Sequence, residues 1–167
     1  MKNAFRTEVE KQEDLLNSHI QDAIEAEKKY RINFNNLDLI DFERKREFLD
    51  QMINYGLETL KTGDLSQLPL LVGFLKHKGR YFRSGYLREK ICLALRKVNL
   101  NEEQKEVIRE LILMGLITYR REFRELSYLV PKVYNAEFEK IIRSLENHPE
   151  EYVRKRVKHL LEFDSFQ

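Results

Sequence analysis

An all-helical fold is what this sequence predicts, on three observations. Only six glycines and three prolines stand among 167 residues, too few for the tight turns of a multi-stranded β fold. Apolar residues recur at steps of three and four through most of the chain. Charged residues make up 35% and alternate in sign between the apolar ones, as on solvated helix faces. No segment reads as a strand.

The elements follow in order. In residues 3–30, Phe5, Val9, Gln12, Leu16, His19, Ala23, Ala26 and Tyr30 fall at alternating steps of four and three and mark one face of a long helix. RINFNNLDL, residues 31–39, interrupts the pattern with three asparagines and reads as a loop, after which Asp38 caps a second helix to about Lys61. Thr62, Gly63 and Asp64 end it. Residues 66–79 predict a short helix capped by Ser66, with Pro69 tolerated in its first turn, and residues 80–98 the next. Asn101 caps a helix whose second half, LILMGLI, is apolar nearly all round, which places it at the centre of the fold. Residues 119–134 either continue that helix or form another, bent or ended by Pro131. Asn135 caps residues 136–147, His148-Pro149 makes a turn, and residues 150–163 form the last helix.

Three stretches repeat a pattern. LREKICLALRKV begins at Leu87, FRELSYLVPKVY at Phe123 and VRKRVKHLLEFD at Val153, so the starts lie 36 and 30 residues apart. Each opens with an apolar residue followed by arginine: Arg88, Arg124 and Arg154. Apolar residues follow at plus four, plus seven and plus eight in the first and third: Ile91, Ala94 and Leu95; Val157, Leu160 and Leu161. The middle stretch has Ser127 and Pro131 at two of these places. On these residues the chain resembles the HEAT-repeat family over about residues 64–163, with PEEYVRKRVKHLL the best match and LPLLVGFLKH similar to a first helix of the family. The spacing is shorter than the roughly 40–47 residues usual for such units. The resemblance implies a short right-handed α-solenoid of about three stacked antiparallel helix pairs, preceded by an N-terminal pair at residues 1–61, in one helical domain. It also implies that Arg88, Arg124 and Arg154 bond turn groups or the next unit.

The bulk chemistry narrows the function. A net charge of +2 makes the chain as a whole no polyanion binder, so any such role rests on local charge. A single cysteine, Cys92, excludes an internal disulfide and points to a reducing compartment. The charged N-terminus lacks the apolar run of a secretory signal, and the expectation is a cytoplasmic protein without a membrane partner. His19, His77, His148 and His159 make no metal-ligand motif, and His77, His148 and His159 read as ordinary turn and helix-surface residues. Cys92 sits among Ile91, Leu93, Ala94 and Leu95, where a thiol is inert. No phosphate loop or acid–base pair emerges, and the expectation is a protein without catalytic residues, cofactor or metal.

One local feature rises above this background. Residues 76–97 hold Lys76, Lys78, Arg80, Arg83, Arg88, Lys90, Arg96 and Lys97 against one acid, Glu89, with Tyr81, Phe82 and Tyr86 interleaved. Arg120, Arg121 and Arg124, then Arg154, Lys155, Arg156 and Lys158, follow at repeat spacing. In stacked repeats such positions align, which makes Lys76, Lys78, Arg80, Arg83, Arg120, Arg121, Arg156 and Lys158 the candidate polyanion-binding set. Glu122, Glu125, Glu150 and Glu151 blunt the later clusters. The first expectation is a non-enzymatic scaffold module that binds a protein or peptide partner, and the alternative is a nucleic-acid binder. Pairing of two copies through the N-terminal helix stays open.

Overall fold

The computed structural model describes residues 3–118 and 122–163, and every regular element among them is a helix. In chain order these are α1 (Ala4–Asn33), α2 (Asn36–Lys61), α3 (Leu68–Lys76), α4 (Ser84–Leu95), α5 (Glu102–Ile117), α6 (Phe123–Ser127), α7 (Val130–Val133), α8 (Ala136–Ser144) and α9 (Glu151–Leu161). The all-α expectation holds. The chain divides into two compact units, Met1–Ala94 and Leu95–Gln167.

In the first unit, Asn3 starts α1 by accepting the Arg6 N–H at 2.9 Å. The buried row is Val9, Leu16, Ile20, Ala23 and Ala26. Ile20 therefore takes the place expected of His19, while Phe5, Gln12 and Tyr30 are only half-buried. The predicted loop at 31–39 shrinks to two residues. Helix α1 runs through Asn33 and ends at Phe34, whose left-handed backbone (φ 50°) points its N–H at the Tyr30 carbonyl, 2.8 Å away. Such a conformation costs a non-glycine residue about 1–2 kcal/mol, which the asparagines around it help to offset. Asn35, rather than Asp38, is the cap of α2, accepting the Asp38 N–H at 2.8 Å. The Asp38 carboxylate receives the side-chain amides of Asn33 and Asn35 and pairs with Lys29. Hydrogen bonding from Asn33, then Lys29, holds that carboxyl below its ordinary range.

Helix α2 turns Phe42, Leu49, Ile53, Gly56, Leu57 and Leu60 inward, and α3 packs against both α1 and α2. Seven of the nine α3 residues, Leu68 and Leu70 to Leu75 among them, are buried. Ser66 is not its cap. The helix begins at Leu68 after Gln67, and Ser66 instead donates its N–H to Asp64 at 2.8 Å. Gly73 marks a backbone crossing: a Cβ there would lie 3.1 Å from the Glu13 nitrogen and 3.2 Å from the Val9 carbonyl oxygen of α1. Residues 80–83, expected to be helical, form a turn, and α4 begins only at Ser84.

In the second unit, Asn101 and Gln104 form the reciprocal cap that starts α5, as expected. The helix buries Val107, Ile108, Leu111, Ile112, Gly115 and Leu116 and packs against α6, α7 and α9. It is not buried all round, because Ile117 is exposed and Leu113 and Met114 are half-buried. Residues 122–134 form two short helices. Pro131 opens α7 at its second position, where a missing N–H leaves no hydrogen bond unmade. Asn135 caps α8 by accepting the Phe138 N–H at 2.8 Å, and Val153, Val157 and Leu160 are the buried row of α9.

Gly73→Ala forces a methyl group against backbone atoms that no side-chain rotation can move. We expect it to destabilise the protein by about 1–3 kcal/mol in urea denaturation. A loss below about 0.5 kcal/mol would mean that α3 slides freely on α1.

Candidate functional site

The arginines after the apolar openers have different fates. Arg88 is fully buried; its Nη2 donates to the carbonyls of His77 and Gly79, each at 2.9 Å, and its guanidinium lies 4.7 Å over the Phe74 ring. Arg154 does the equivalent job in the second unit, donating to the carbonyls of His148 and Pro149 at 2.6 and 2.7 Å. Arg124 does not. It is exposed, and its Nε donates to the Tyr128 hydroxyl at 3.4 Å.

The eight candidate polyanion residues do not behave as one set. Lys76 is half-buried and pairs with Glu13 at 3.6 Å. Arg156 donates to the carbonyls of Gly115 and Thr118 at 2.7 and 2.6 Å, and its guanidinium lies 4.6 Å from the Phe123 ring centre. It thus closes the C-terminal end of α5, where carbonyls lack helical partners, and is engaged by the protein rather than by solvent. Arg120 and Arg121 lie outside the described residues. Lys158 is exposed on α9. That leaves Lys78, Arg80 and Arg83, all exposed and close together on the turn between α3 and α4.

This turn is held from several directions. His77 is buried, against the expectation of a surface residue. Its Nδ1 accepts the Gly79 N–H at 2.9 Å, so the proton sits on Nε2, 3.1 Å from the Asn17 Oδ1 of α1. A Cβ on Gly79 would meet Ile20 of α1 at 2.8 Å and the His77 ring at 2.9 Å. The Tyr81 N–H reaches the Ser84 Oγ at 3.2 Å, and the Phe82 N–H reaches the Glu27 carboxylate of α1 at 2.8 Å. The buried Tyr81 ring packs edge-on to Phe74, and its hydroxyl faces Asp50 of α2 at 3.5 Å. Burial, reinforced by Asp50, pushes the phenol well above its ordinary value. Arg83 follows with a left-handed backbone, φ 70°.

Elsewhere the chemistry is packing. His159 Nε2 lies 3.1 Å from the Ser127 hydroxyl, and His148 Nδ1 accepts the Glu150 N–H at 3.1 Å. The Cys92 side chain is buried within α4. No cluster of three or more metal-ligating side chains occurs among the described residues, and no helix among them is long and apolar enough to cross a membrane.

One surface escaped the sequence reading. Leu37, Ile40, Phe48 and Tyr55 of α2 are all exposed, Leu37 at 80% and Tyr55 at 66%. At 100° per residue they fall within one strip of the helix, turned away from the buried Phe42, Leu49 and Ile53. The signal was in the spacing, since Phe48 and Tyr55 are seven apart and Leu37 is eleven before Phe48, both near whole numbers of turns. Phe48 packs at a tilt against His19 of α1, with 4.9 Å between ring centres.

His77 carries a pH dependence. Burial, then the nearby Arg88, lowers its proton affinity from the ordinary value of 6.5, and only Glu13 opposes them. The fold thus holds the neutral ring, and the unfolded chain binds the extra proton. Stability is full above 6.5 and falls as pH drops through it towards the lower folded value. Urea denaturation should show a loss between pH 7.5 and 5.5 that His77→Asn, which keeps an acceptor for Gly79 but cannot titrate, reduces. An equal loss in both proteins would remove His77 as the cause. Compared with protein-family models, curated proteins and solved structures, the chain matches none of them.

Proposed function

We propose that this chain is a non-enzymatic interaction module that binds a protein or peptide partner. The observation that carries the proposal is the outward apolar row of α2. Leu37, Ile40, Phe48 and Tyr55 run along about 27 Å of helix, at 1.5 Å per residue, all of them exposed, with Phe48 also touching His19 of α1. Scattered surface apolar residues need no explanation, but four large ones on one face, two of them aromatic and interrupted by Arg44 and Gln51, offer the anchors that helix-in-groove and helix-on-helix recognition uses. Ile32 and Phe34 extend the apolar character to the tip of the α1–α2 hairpin, where both are exposed.

The proposal includes the HEAT-like organisation, in which helix pairs stack as a short right-handed α-solenoid. Its support is local. Arg88 and Arg154, placed alike after an apolar opener, each donate to two carbonyls of the turn before their helix. A helix pair cannot bury both faces alone, so neighbours of this kind gain by stacking.

The test compares the wild-type chain with Leu37→Glu/Tyr55→Glu, two exposed positions whose substitution leaves folding within about 0.5 kcal/mol. Both are tagged and recovered from lysate of the source cells. We expect a defined protein to be retained by the wild type and reduced at least about tenfold by the double variant, the loss of about 1.4 kcal/mol of binding. Identical protein profiles for the two would discard the α2 row as the docking surface.

A further inference from the structure

We propose that the first unit carries a binding site for single-stranded nucleic acid, built by the turn at residues 78–83, the first turn of α4 and the Lys28–Arg31 end of α1. It is a different site from the α2 row. Asn17 and His19 of α1 are two residues apart, hence about 200° around the helix; Asn17 meets His77 and the basic turn, whereas His19 meets Phe48 of the α2 row. The two surfaces therefore lie on opposite sides of α1.

Fold, not sequence proximity, assembles the charge. Lys28 and Arg31 stand eleven residues beyond Asn17 and Ile20, three helical turns plus about 20°. Since Asn17 and Ile20 face His77 and Gly79, Lys28 and Arg31 continue that face past the turn. Glu27 fixes the junction: its carboxylate accepts the Phe82 N–H at 2.8 Å and pairs with Arg31 at 2.7 Å. The site thus gathers Lys28, Lys78, Arg80 and Arg83, with Arg31 beside them paired to Glu27, all exposed.

Three nearby acids have partners, whereas Glu25 stands exposed one turn before Lys28. Glu27 has Arg31 and the Phe82 amide, Asp50 is paired with Arg46 at 2.9 Å, and Glu13 is paired with Lys76. Glu89 is the acid within the basic stretch, half-buried on α4. Two half-exposed aromatic rings stand among these cations: Phe82, with the Arg83 guanidinium 5.5 Å from its centre, and Tyr86 in the first turn of α4. Cations that track a backbone, with rings on which unpaired bases stack, are the elements of single-strand recognition. A duplex keeps its bases stacked on each other and offers those rings nothing. The hydrogen bonds of Arg88, His77, Ser84 and Glu27 hold the turn in place before any ligand arrives, which spares the ordering cost of a free loop.

The experiment is fluorescence anisotropy with a labelled 20-nucleotide uridine homopolymer and a random-sequence duplex of equal length, over a salt series. Binding of the single strand is expected in the micromolar range at about 50 mM salt, with a log–log salt slope of about 3, the value for about four phosphate contacts. The duplex should bind at least about fivefold more weakly. Arg80→Glu/Arg83→Glu should abolish binding, and Phe82→Ala/Tyr86→Ala should weaken it about tenfold or more. Lys28→Glu decides the geometry. It should weaken binding at least about threefold, while Lys158→Glu, an equal charge change in the second unit, leaves it unaltered. Leu37→Glu/Tyr55→Glu should also leave it unaltered, so the two proposed surfaces fail or stand separately. No binding at low salt, survival of binding in Arg80→Glu/Arg83→Glu, or equal effects of Lys28→Glu and Lys158→Glu would each overturn the proposal. Circular dichroism of every variant separates lost binding from lost fold.

Discussion

A buried guanidinium holds the first unit in register. Arg88 is fully buried, and removing such a charge from water costs several kcal/mol. The cost is offset by what the group does there: it donates to the carbonyls of His77 and Gly79 and lies on the face of Phe74. The end of α3 and the start of the turn are thereby tied to α4. Every other feature of the turn follows from that tie. With His77 and Gly79 fixed, the imidazole can reach both the Gly79 N–H and Asn17, and the chain must then pass Ile20 so closely that only glycine fits. Lysine in place of Arg88 would supply a point charge without the planar fork and without the stacking face.

The same physics recurs in the second unit with different partners. Arg154 satisfies two turn carbonyls, and Arg156, two residues later, satisfies two carbonyls at the end of α5. Helix ends and tight turns leave carbonyls without intrahelical partners, and a guanidinium with five donors answers two of them at once. In a chain with few glycines to make left-handed caps, arginine takes over part of that duty. Part of the positive charge that looks available in the sequence is consumed this way. Formal charge counts therefore overstate the electrostatic surface, and the distinction that matters is which cations have carbonyls within reach.

This explains which parts were legible in the sequence. The caps at Asn101 and Asn135 and the buried row of α9 depend on neighbours three or four residues away, and they were readable. The Asn33–Asp38 turn was misread as a loop because three asparagines signal irregular chain. Here two of them, Asn33 and Asn35, serve the opposite end, Asn35 capping α2 and both holding the Asp38 carboxylate so that two residues suffice to reverse direction. His77 and Arg156 were misassigned because their partners lie 60 and about 40 residues away. Lys28 and Arg31 were passed over for the same reason, since nothing local connects them to Phe82. The α2 row was within reach of the spacing, but a helix with apolar residues on two faces reads by periodicity as a single diffuse pattern.

That second face is the step the fold makes plain. A helix in a two-helix hairpin needs one apolar row, and α2 has it in Phe42, Leu49, Ile53, Leu57 and Leu60. Leaving Leu37, Ile40 and Tyr55 mostly in water adds little to folding and raises the risk of association. The far side of α1 shows the complementary arrangement, with Glu27 paired to Arg31 and exposed cations around Phe82 and Tyr86. Neither surface belongs to the buried rows, and a binding role is our proposal for each. Because Asn17 and His19 divide the two sides of a single helix, one can be altered without touching the packing beneath the other.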